Sequence, residues 1–339
     1  MSSPLAAHTD FTLPLGQVTA TPLPAAPLGS GAWRFVVAAD WAKVPAGVAL
    51  GPTHGGVGED AAGNLYVSTD ADRTGILVFE PSGRFRRAIA PEFSGIHGFT
   101  IRREGGREFL YAAHLKGAQI VKLDLDGNVQ WTLGVPKESG HYDQPADPKK
   151  KPAAFRPTAV AVGPDGRVYV ADGYGASVIH VFDAGRRYQK TIGTRGEGDG
   201  QFKTCHGLAL DERFAAPLLL VCDRENRRLV HLDLEGRFVR TVATGLRRPC
   251  AVSFSGEHVA VAELEGRVVV LDQAGQTVAT LGDNPDQKQW AAFKLEPEHW
   301  RDGIFIAPHG LAFDRAGNLF VQDWNFAGRL TKLQRATAR

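Results

Sequence analysis

Several features that define other protein classes are scarce in this chain of 339 residues. It has only three cysteines, Cys205, Cys222 and Cys250, too few for a disulfide framework. No segment reaches the roughly 18 consecutive apolar residues of a membrane-spanning helix. Lysine and arginine number 39 against 37 aspartates and glutamates, a net charge of +2, so the composition indicates neither nucleic acid nor a membrane as partner.

The first residues also lack the order of a secretory signal, because Asp10 and several prolines precede any apolar run. We therefore expect a cytoplasmic protein, or a secreted one if a leader has been removed. The one basic run, residues 149–151, is interpreted as a solvated loop. We expect a monomer whose partner is a small-molecule substrate.

What the chain does contain is a sixfold repeat of short strands. The third copy has apolar strands at residues 158–162, 168–172 and 178–183, with a Pro-Asp-Gly turn after the first. Short strands rich in Val, Ile and Tyr between glycine turns are typical of antiparallel hairpins. The six copies open at Gly55, His97, Thr158, His206, Cys250 and His309, a period of about 51 residues. This period predicts an all-β, six-bladed β-propeller.

A propeller has to close into a ring, because an open sheet edge leaves backbone groups unpaired. The sixth copy ends near residue 333 with only three strands, and an isolated apolar strand lies at residues 33–38. We predict that this N-terminal strand completes the last blade. The predicted organisation is an extended arm over residues 1–32 and a single propeller domain over residues 33–335.

Histidine occupies the opening position in every second copy, at His97, His206 and His309. Six blades are spaced about 60° apart, so alternate blades place these side chains about 120° apart around the tunnel. Three inward imidazoles can bind Zn²⁺ and leave a fourth position open, as in catalytic sites. Iron or another divalent metal is an alternative, because imidazole also suits those ions. The other interpretation is that the rings merely cap strands or form hydrogen bonds in the tunnel.

Cys250 occupies the equivalent position in the fifth copy. A thiolate there would be a soft additional ligand. The alternative is a buried free thiol that only packs.

The loops between second and third strands should lie on the same face as the histidines. They carry polar and aromatic side chains at Asp70, Arg73, His114, Tyr174, Arg224, Asp323 and Trp324. Tyr174 is the candidate acid or base, because a phenol near a cation ionises below its free value of about 10; alternatively it packs over a turn. Arg224 either clamps its loop or binds a substrate carboxylate. Asp172 and Asp223 are interpreted as holding loop backbone.

Two linkers between blades are much longer than hairpin loops, at residues 134–156 and 282–308. Long loops on a ligand-binding face are often lids or pocket walls. Tyr142 and His141 in the first, and Trp290, Phe293 and Trp300 in the second, are candidates to cover a small substrate. The alternative is packing on neighbouring blades.

Residues 156–162, 170–179, 200–210 and 222–226 resemble NHL repeats, and the ring over residues 50–335 resembles peptidyl-α-hydroxyglycine α-amidating lyases. The resemblance implies zinc on His97, His206 and His309, with Tyr174 as the catalytic tyrosine. It also implies cleavage of a carbinolamide at its C–N bond, giving an amide and glyoxylate. The metal would make the substrate hydroxyl more acidic.

The sequence also departs from that family. Asp70 stands where the resemblance places a catalytic arginine, and Arg73 follows three residues later as its candidate replacement. Gly175 stands where a cysteine of the family would follow the tyrosine. The substrate contacts are assigned to Asp70, His114, Tyr142, Asp323 and Trp324.

Three functional hypotheses result from these observations. The first is a metal-dependent lyase acting on a small polar molecule such as an α-hydroxyglycine amide. The second is a non-catalytic NHL propeller that binds a protein or peptide on its histidine face. The third is a lactonase-type hydrolase, since NHL propellers also resemble sugar lactonases that use carboxylate-bound Ca²⁺; a structural Ca²⁺ is therefore a second candidate ion.

Overall fold

The structure is a computed structural model that describes residues 27–144 and 151–336. In these ranges the chain forms six β-sheets of four or five strands, one short parallel pair of strands and four 3-10 helices. The predicted all-β, six-bladed β-propeller is confirmed. Within the same ranges, no helix is long and apolar enough to cross a membrane. Residues 1–26 of the predicted arm and residues 149–150 of the basic run lie outside the described residues.

Each blade runs along the chain from its innermost strand to its outermost strand. Two strands, β1 (Leu28–Ser30) and β2 (Trp33–Ala38), precede the ring. Blade one comprises β3 (Val57–Glu59), β4 (Leu65–Ser68), β5 (Ile76–Phe79) and β6 (Phe85–Ile89). Blade two comprises β7 (Ile96–Glu104), β8 (Arg107–His114), β9 (Gln119–Asp124) and β10 (Val129–Leu133). Blade three comprises β11 (Ala159–Val162), β12 (Val168–Ala171), β13 (Ile179–Phe182) and β14 (Tyr188–Ile192).

The second half of the ring repeats this order after a short parallel pair, β15 (Thr194–Arg195) and β16 (Gln201–Phe202). Blade four comprises β17 (Cys205–Asp211), β18 (Leu218–Asp223), β19 (Arg228–Leu232) and β20 (Phe238–Ala243). Blade five comprises β21 (Pro249–Ser255), β22 (His258–Glu263), β23 (Arg267–Leu271) and β24 (Thr277–Leu281). Blade six contains β25 (Pro308–Phe313), β26 (Leu319–Asp323) and β27 (Arg329–Arg335). The 3-10 helices are Pro91–Phe93, Lys137–Ser139, Gln287–Gln289 and Pro297–His299.

The burial of each strand depends on its place in the blade. The middle strands β5 and β13 are buried at every residue, because both of their faces pack against neighbouring blades. The outermost strand β6 instead alternates between partly buried and exposed residues over most of its length. Hydrophobic burial between blades therefore holds the ring together, and the outer strands face solvent.

The N-terminal strand closes the ring as predicted. Strand β2 pairs antiparallel with β27, with Phe35 opposite Arg335 and Val37 opposite Leu333. Phe35 is fully buried in the core between blades five and six, a burial that contributes roughly 1.5–3 kcal/mol. Strand β1 pairs with β2 and adds a fifth strand to this sheet, which the sequence did not predict.

The innermost strands surround a central tunnel. Each of them contacts the innermost strands of both neighbouring blades, and β25 of blade six contacts β3 of blade one. They line a cavity of about 350 Å³ that extends from His97, His206 and His309 at one end to Arg102 and Glu212 at the other. The ring thus places the strand openings together at one end of the tunnel.

A candidate metal centre at the mouth of the tunnel

Each of the three predicted histidines lies at a β-bulge near the start of an innermost strand. In β7, Ile96 pairs with His114 and Gly98 pairs with Ala113, so His97 is the extra residue. Strands β17 and β25 shift register in the same way around His206 and His309. Because a bulge re-aims the side chain of the extra residue, all three rings can turn toward the tunnel axis.

The structure brings the three rings together. The ring centroids of His97 and His206 are 4.6 Å apart, those of His97 and His309 4.9 Å, and those of His206 and His309 4.6 Å. The three side chains come from blades two, four and six, and each residue is at most 2% exposed. They form a buried cap of imidazoles across one end of the tunnel.

Two of these rings are oriented by the next blade. The carbonyl oxygen of Thr158 accepts a hydrogen bond from Nδ1 of His97 at 2.7 Å, and that of Cys250 accepts one from Nδ1 of His206 at 2.9 Å. Donation from Nδ1 leaves Nε2 without a proton in the neutral ring. This is the tautomer in which a histidine binds a metal through Nε2, with the second nitrogen fixed by a carbonyl.

The glycine after each histidine allows this close approach of the blades. A Cβ atom on Gly207 would lie 2.4 Å from the carbonyl oxygen of Cys250, and one on Gly310 would lie 1.9 Å from that of Gly55. Any larger residue would push the backbones apart. Steric exclusion of a Cβ atom therefore explains why a glycine follows each of these histidines in the sequence.

The three imidazoles are neutral at physiological pH. Burial lowers the pKa of His97, His206 and His309 well below the usual value, and the nearby positive charge of Arg224 lowers each pKa further. Neutral imidazole is the form that coordinates metal ions. The donor set at this end of the tunnel thus fits a divalent metal.

A fourth histidine, His54, also reaches this centre, although the pattern of the repeats did not predict it. Its ring centroid lies 4.8 Å from that of His97 and 5.2 Å from that of His309. The available signal was a fourth His-Gly pair, His54-Gly55, displaced by one residue from the aligned opening of blade one.

Among the described residues, two groups of three side chains can hold a divalent metal. They are His54, His97 and His309, and His206, Cys250 and His309, with the ligand atoms of each group within 4.8 Å of one another. Cys250 is a free, buried thiol. Neither group includes a carboxylate, so these donors do not suit Ca²⁺, which takes oxygen ligands.

Tyr174 and Arg224 join the histidines in one hydrogen-bonded chain. The phenol oxygen of Tyr174 lies 2.9 Å from Nε2 of His206 and 3.2 Å from Nε2 of His97. Nη1 of Arg224 donates a hydrogen bond to the same oxygen at 3.0 Å. Burial raises the pKa of Tyr174 above its usual value, and the charge and hydrogen bond of Arg224 offset only part of this rise. The phenol therefore lies between the histidines and a fixed positive charge.

Arg224 also stabilises its own loop. Its Nε donates to Glu225 at 3.0 Å, and Glu225 accepts a second hydrogen bond from Nη2 of Arg248 at 2.6 Å. The two roles considered from the sequence, loop clamp and functional cation, are thus compatible in one side chain.

Trp324 and Asp70 also border the centre. The Trp324 ring lies 6.5 Å from that of His309, and the Phe293 ring from the long linker lies 4.7 Å from Trp324. Asp70 Oδ2 lies 2.7 Å from Nδ1 of His54. Trp324 and Phe293 therefore form an aromatic wall on one side of the site. Asp70 is linked to the site by its hydrogen bond to His54.

Tyr142 and His114 lie elsewhere. The Tyr142 hydroxyl lies 2.8 Å from Asp172 Oδ2 and 2.7 Å from Nε2 of His180. His114 donates from Nε2 to the carbonyl oxygen of Ser94 at 3.0 Å. These contacts hold loops of blades three and two, and none of them reaches the four clustered histidines.

Asp323 and Arg73 are also separate from the cluster. Asp323 is fully buried, and its Oδ1 accepts from the backbone N–H groups of Ile306 and Ala307 at 3.0 and 2.7 Å. The Arg73 side chain makes no hydrogen bond or ion pair with any described residue, and its backbone has a φ of 53°. Asp323 thus anchors the linker, and Arg73 projects from a tight turn.

No family model matches the chain. Among solved structures, a streptogramin B lyase aligns with a TM-score of 0.57 at 13% identity, over 91% of this chain and all of the other. A gluconolactonase from Xanthomonas campestris aligns with a TM-score of 0.59 at 14% identity, over 96% of this chain and 99% of the other. A virginiamycin B lyase from Staphylococcus aureus aligns with a TM-score of 0.52 at 12% identity, over 84% and 95%.

At these identities the likeness shows the fold. The chain is a six-bladed β-propeller of the architecture found in those lyases and in that gluconolactonase. The described residues of this molecule include a group of histidines with Cys250 that can hold a divalent metal.

Proposed function

We propose that this protein is a metal-dependent lyase that cleaves the C–N bond of a small α-hydroxyglycine amide. The observation that carries the proposal is the chain of hydrogen bonds from Arg224 through the Tyr174 phenol to Nε2 of His206. It combines candidate ligands, a candidate base and a cation that stabilises that base in its charged form.

His97, His206 and His309 would hold the metal, because they are neutral, buried and directed toward one another. When bound, a divalent ion such as Zn²⁺ lowers the pKa of nearby hydroxyl groups by several units, those of the substrate and of Tyr174 included. Fe²⁺ or another divalent ion would supply the same chemistry.

Tyr174 is the proposed base. In its phenolate form it accepts the proton of the substrate hydroxyl, the C–N bond breaks, and the carbinol carbon becomes the aldehyde of glyoxylate. The nitrogen takes up one proton and leaves as a primary amide, so the reaction consumes neither water nor oxidant. Arg224 keeps its charge 3.0 Å from the phenol oxygen throughout, which favours the phenolate.

The surroundings suit a small substrate with a carboxylate and an apolar acyl group. The guanidinium of Arg156 lies over the Tyr174 ring, 5.7 Å from its centroid, and makes no ion pair with a described residue. It is therefore available to a carboxylate, which it can bind in a bidentate manner. Trp324 and Phe293 offer apolar surface on the other side.

The decisive experiment uses protein purified without a metal-affinity tag and loaded with one divalent ion. It is offered an N-acyl-α-hydroxyglycine, and glyoxylate and the amide are quantified together. We expect equimolar products that disappear on chelation and return when the metal is restored. No glyoxylate from fully loaded protein contradicts the lyase.

Two further arms test the alternatives. Hydrolysis of gluconolactone without glyoxylate formation would identify a lactonase-type hydrolase. Inactivity in both assays, together with a peptide or protein that binds the histidine face and is lost on substitution of Arg224, would identify a binding propeller.

A further inference from the structure

The position of His54 is fixed by neighbours on both sides in the sequence and in space. Thr53 is fully buried, its Oγ1 donates to the carbonyl oxygen of Asp323 at 2.6 Å, and its N–H donates to that of Asn325 at 3.0 Å. The segment before the first strand of blade one is therefore tied to blade six. The backbone presents His54 at the seam where the ring closes.

Asp70 then fixes the ring itself. Its Oδ2 accepts a hydrogen bond from Nδ1 of His54 at 2.7 Å, and its own N–H donates to the carbonyl oxygen of Pro52 at 2.8 Å. The other oxygen, Oδ1, is buried without a hydrogen-bond partner among the described residues. A carboxylate that bonds one nitrogen of an imidazole orients the ring and makes the other nitrogen more basic, as in many metal sites.

The second nitrogen of His54 has no hydrogen-bond partner in the described part of the chain. The ligand atoms of His54, His97 and His309 lie within 4.8 Å of one another. The Trp324 ring stacks near the His54 ring, with 6.4 Å between centroids and 28° between planes. No described residue donates a hydrogen bond to Nε2 of His54, and a cation shared with His97 and His309 would give this nitrogen a partner.

We propose that His54, oriented by Asp70, is a fourth imidazole ligand of the metal centre. The inference rests on the proposed function only for the presence of a metal. Four imidazoles would fill a tetrahedral ion such as structural Zn²⁺, so an ion that also binds substrate needs five or more ligands. Fe²⁺, Ni²⁺ and Cu²⁺ accept imidazole readily and commonly exceed four ligands. The inference also assigns a role to Asp70, which replaces the arginine expected from the family resemblance.

The test measures metal binding directly, without any substrate. Wild-type protein, His54→Ala and Asp70→Asn are titrated with Co²⁺, and X-ray absorption counts the imidazoles around the bound ion. We expect four imidazoles in the wild type and three in His54→Ala, with at least a 100-fold loss of affinity. Asp70→Asn should lose about 10-fold to 100-fold, as is typical when the partner of a ligating histidine is removed.

Two substitutions serve as matched controls. His141→Ala removes an exposed histidine outside the cluster, and Asp72→Asn removes a carboxylate whose side chain is 84% exposed two residues from Asp70. Both should bind Co²⁺ as the wild type does. The unfolding temperature of each variant in chelator shows whether it is folded before titration.

The inference is overturned if His54→Ala keeps the wild-type imidazole count and binds Co²⁺ within threefold of the wild-type affinity. If His97→Ala abolishes binding at the same time, the proposed lyase centre survives and His54 is only a packing residue. If the wild type binds no divalent ion, both the inference and the metal-dependent function are wrong.

Discussion

The phenol oxygen of Tyr174 lies 2.9 Å from Nε2 of His206, although the two residues belong to different blades. The contact forms because Tyr174 follows the second strand of blade three and His206 opens the first strand of blade four. Adjacent blades therefore meet at the site, and a substitution in one blade should change the position of functional groups in the other.

Replacement of Tyr174 by Phe should lower kcat by about 100-fold or more, because a general base contributes roughly that factor. The bound metal should remain, since the histidines are unchanged. The measurement is single-turnover glyoxylate release together with metal analysis. Tyr188→Phe is the matched control, because its hydroxyl forms a hydrogen bond with Thr191, away from the clustered histidines. A decrease in kcat of less than threefold would show that Tyr174 is a packing residue and not the base.

Replacement of Arg224 by Gln should shift the pH dependence of activity toward higher pH. Arg224 lowers the pKa of the Tyr174 phenol, so its loss raises that pKa and the phenolate forms later. We expect the rising limb of the kcat/KM profile to move to higher pH. Arg227→Gln, on the same loop, is the control and should leave the pH profile unchanged. If the profile of Arg224→Gln is also unchanged, Arg224 only stabilises its loop.

Removal of the metal should destabilise the whole ring, because the ligands come from blades two, four and six. At an ion concentration 100 times its Kd, binding contributes about 2.7 kcal/mol, which corresponds to a Tm change of about 4 °C for a protein of this size. Calorimetry with and without chelator measures this difference. In His206→Ala the chelator should have a smaller effect on Tm, because one ligand is lost.

Gly310→Ala should strain the seam between blades six and one. Its Cβ atom would lie 1.9 Å from the carbonyl oxygen of Gly55, so the backbone has to shift at a cost of about 1–3 kcal/mol. Urea unfolding measures the loss. Gly134→Ala is the control, since a Cβ atom there meets nothing within 4 Å. Equal stability of both variants would show that the seam tolerates displacement.

His180 should make the protein less stable in mild acid. Burial lowers its pKa from 6.5 to about 4, so between these values the unfolded chain binds a proton that the folded chain does not. The free energy of unfolding therefore falls as pH decreases from 6.5 to 4, by about 3 kcal/mol from this residue. His180→Gln should lose stability at pH 7 but show a flatter slope through this window. Parallel slopes would mean that His180 titrates normally in the folded protein.

The blades themselves could be predicted because their signals are local. Alternating strands and glycine turns recur every 51 residues or so, and the count of strands left one place open, which residues 33–38 fill. Strand β1 escaped prediction because three residues, Leu28–Ser30, give too short a pattern. Its pairing depends on an edge that exists only once β2 is in place.

The candidate site could likewise be predicted only in part from the sequence. The alternation of His97, His206 and His309 was visible in the chain because a period of two blades is a sequence property. The bulges that turn these rings inward, and the carbonyl groups of Thr158 and Cys250 that orient two of them, depend on how blades pack. The sequence placed Tyr142, His114 and Asp323 in the loops of the site. In the structure the Tyr142 hydroxyl contacts the side chains of Asp172 and His180, and His114 and Asp323 contact backbone groups.

The sequence alone determined the number of blades, the closing strand and the alternate placement of three histidines, because strand pairing follows from patterns a few residues long. Only the tertiary structure brought His54 and Asp70 to the same centre. Closure of the ring joins residues 54 and 309, which are far apart in the chain, and no local pattern specifies which side chains meet at that seam.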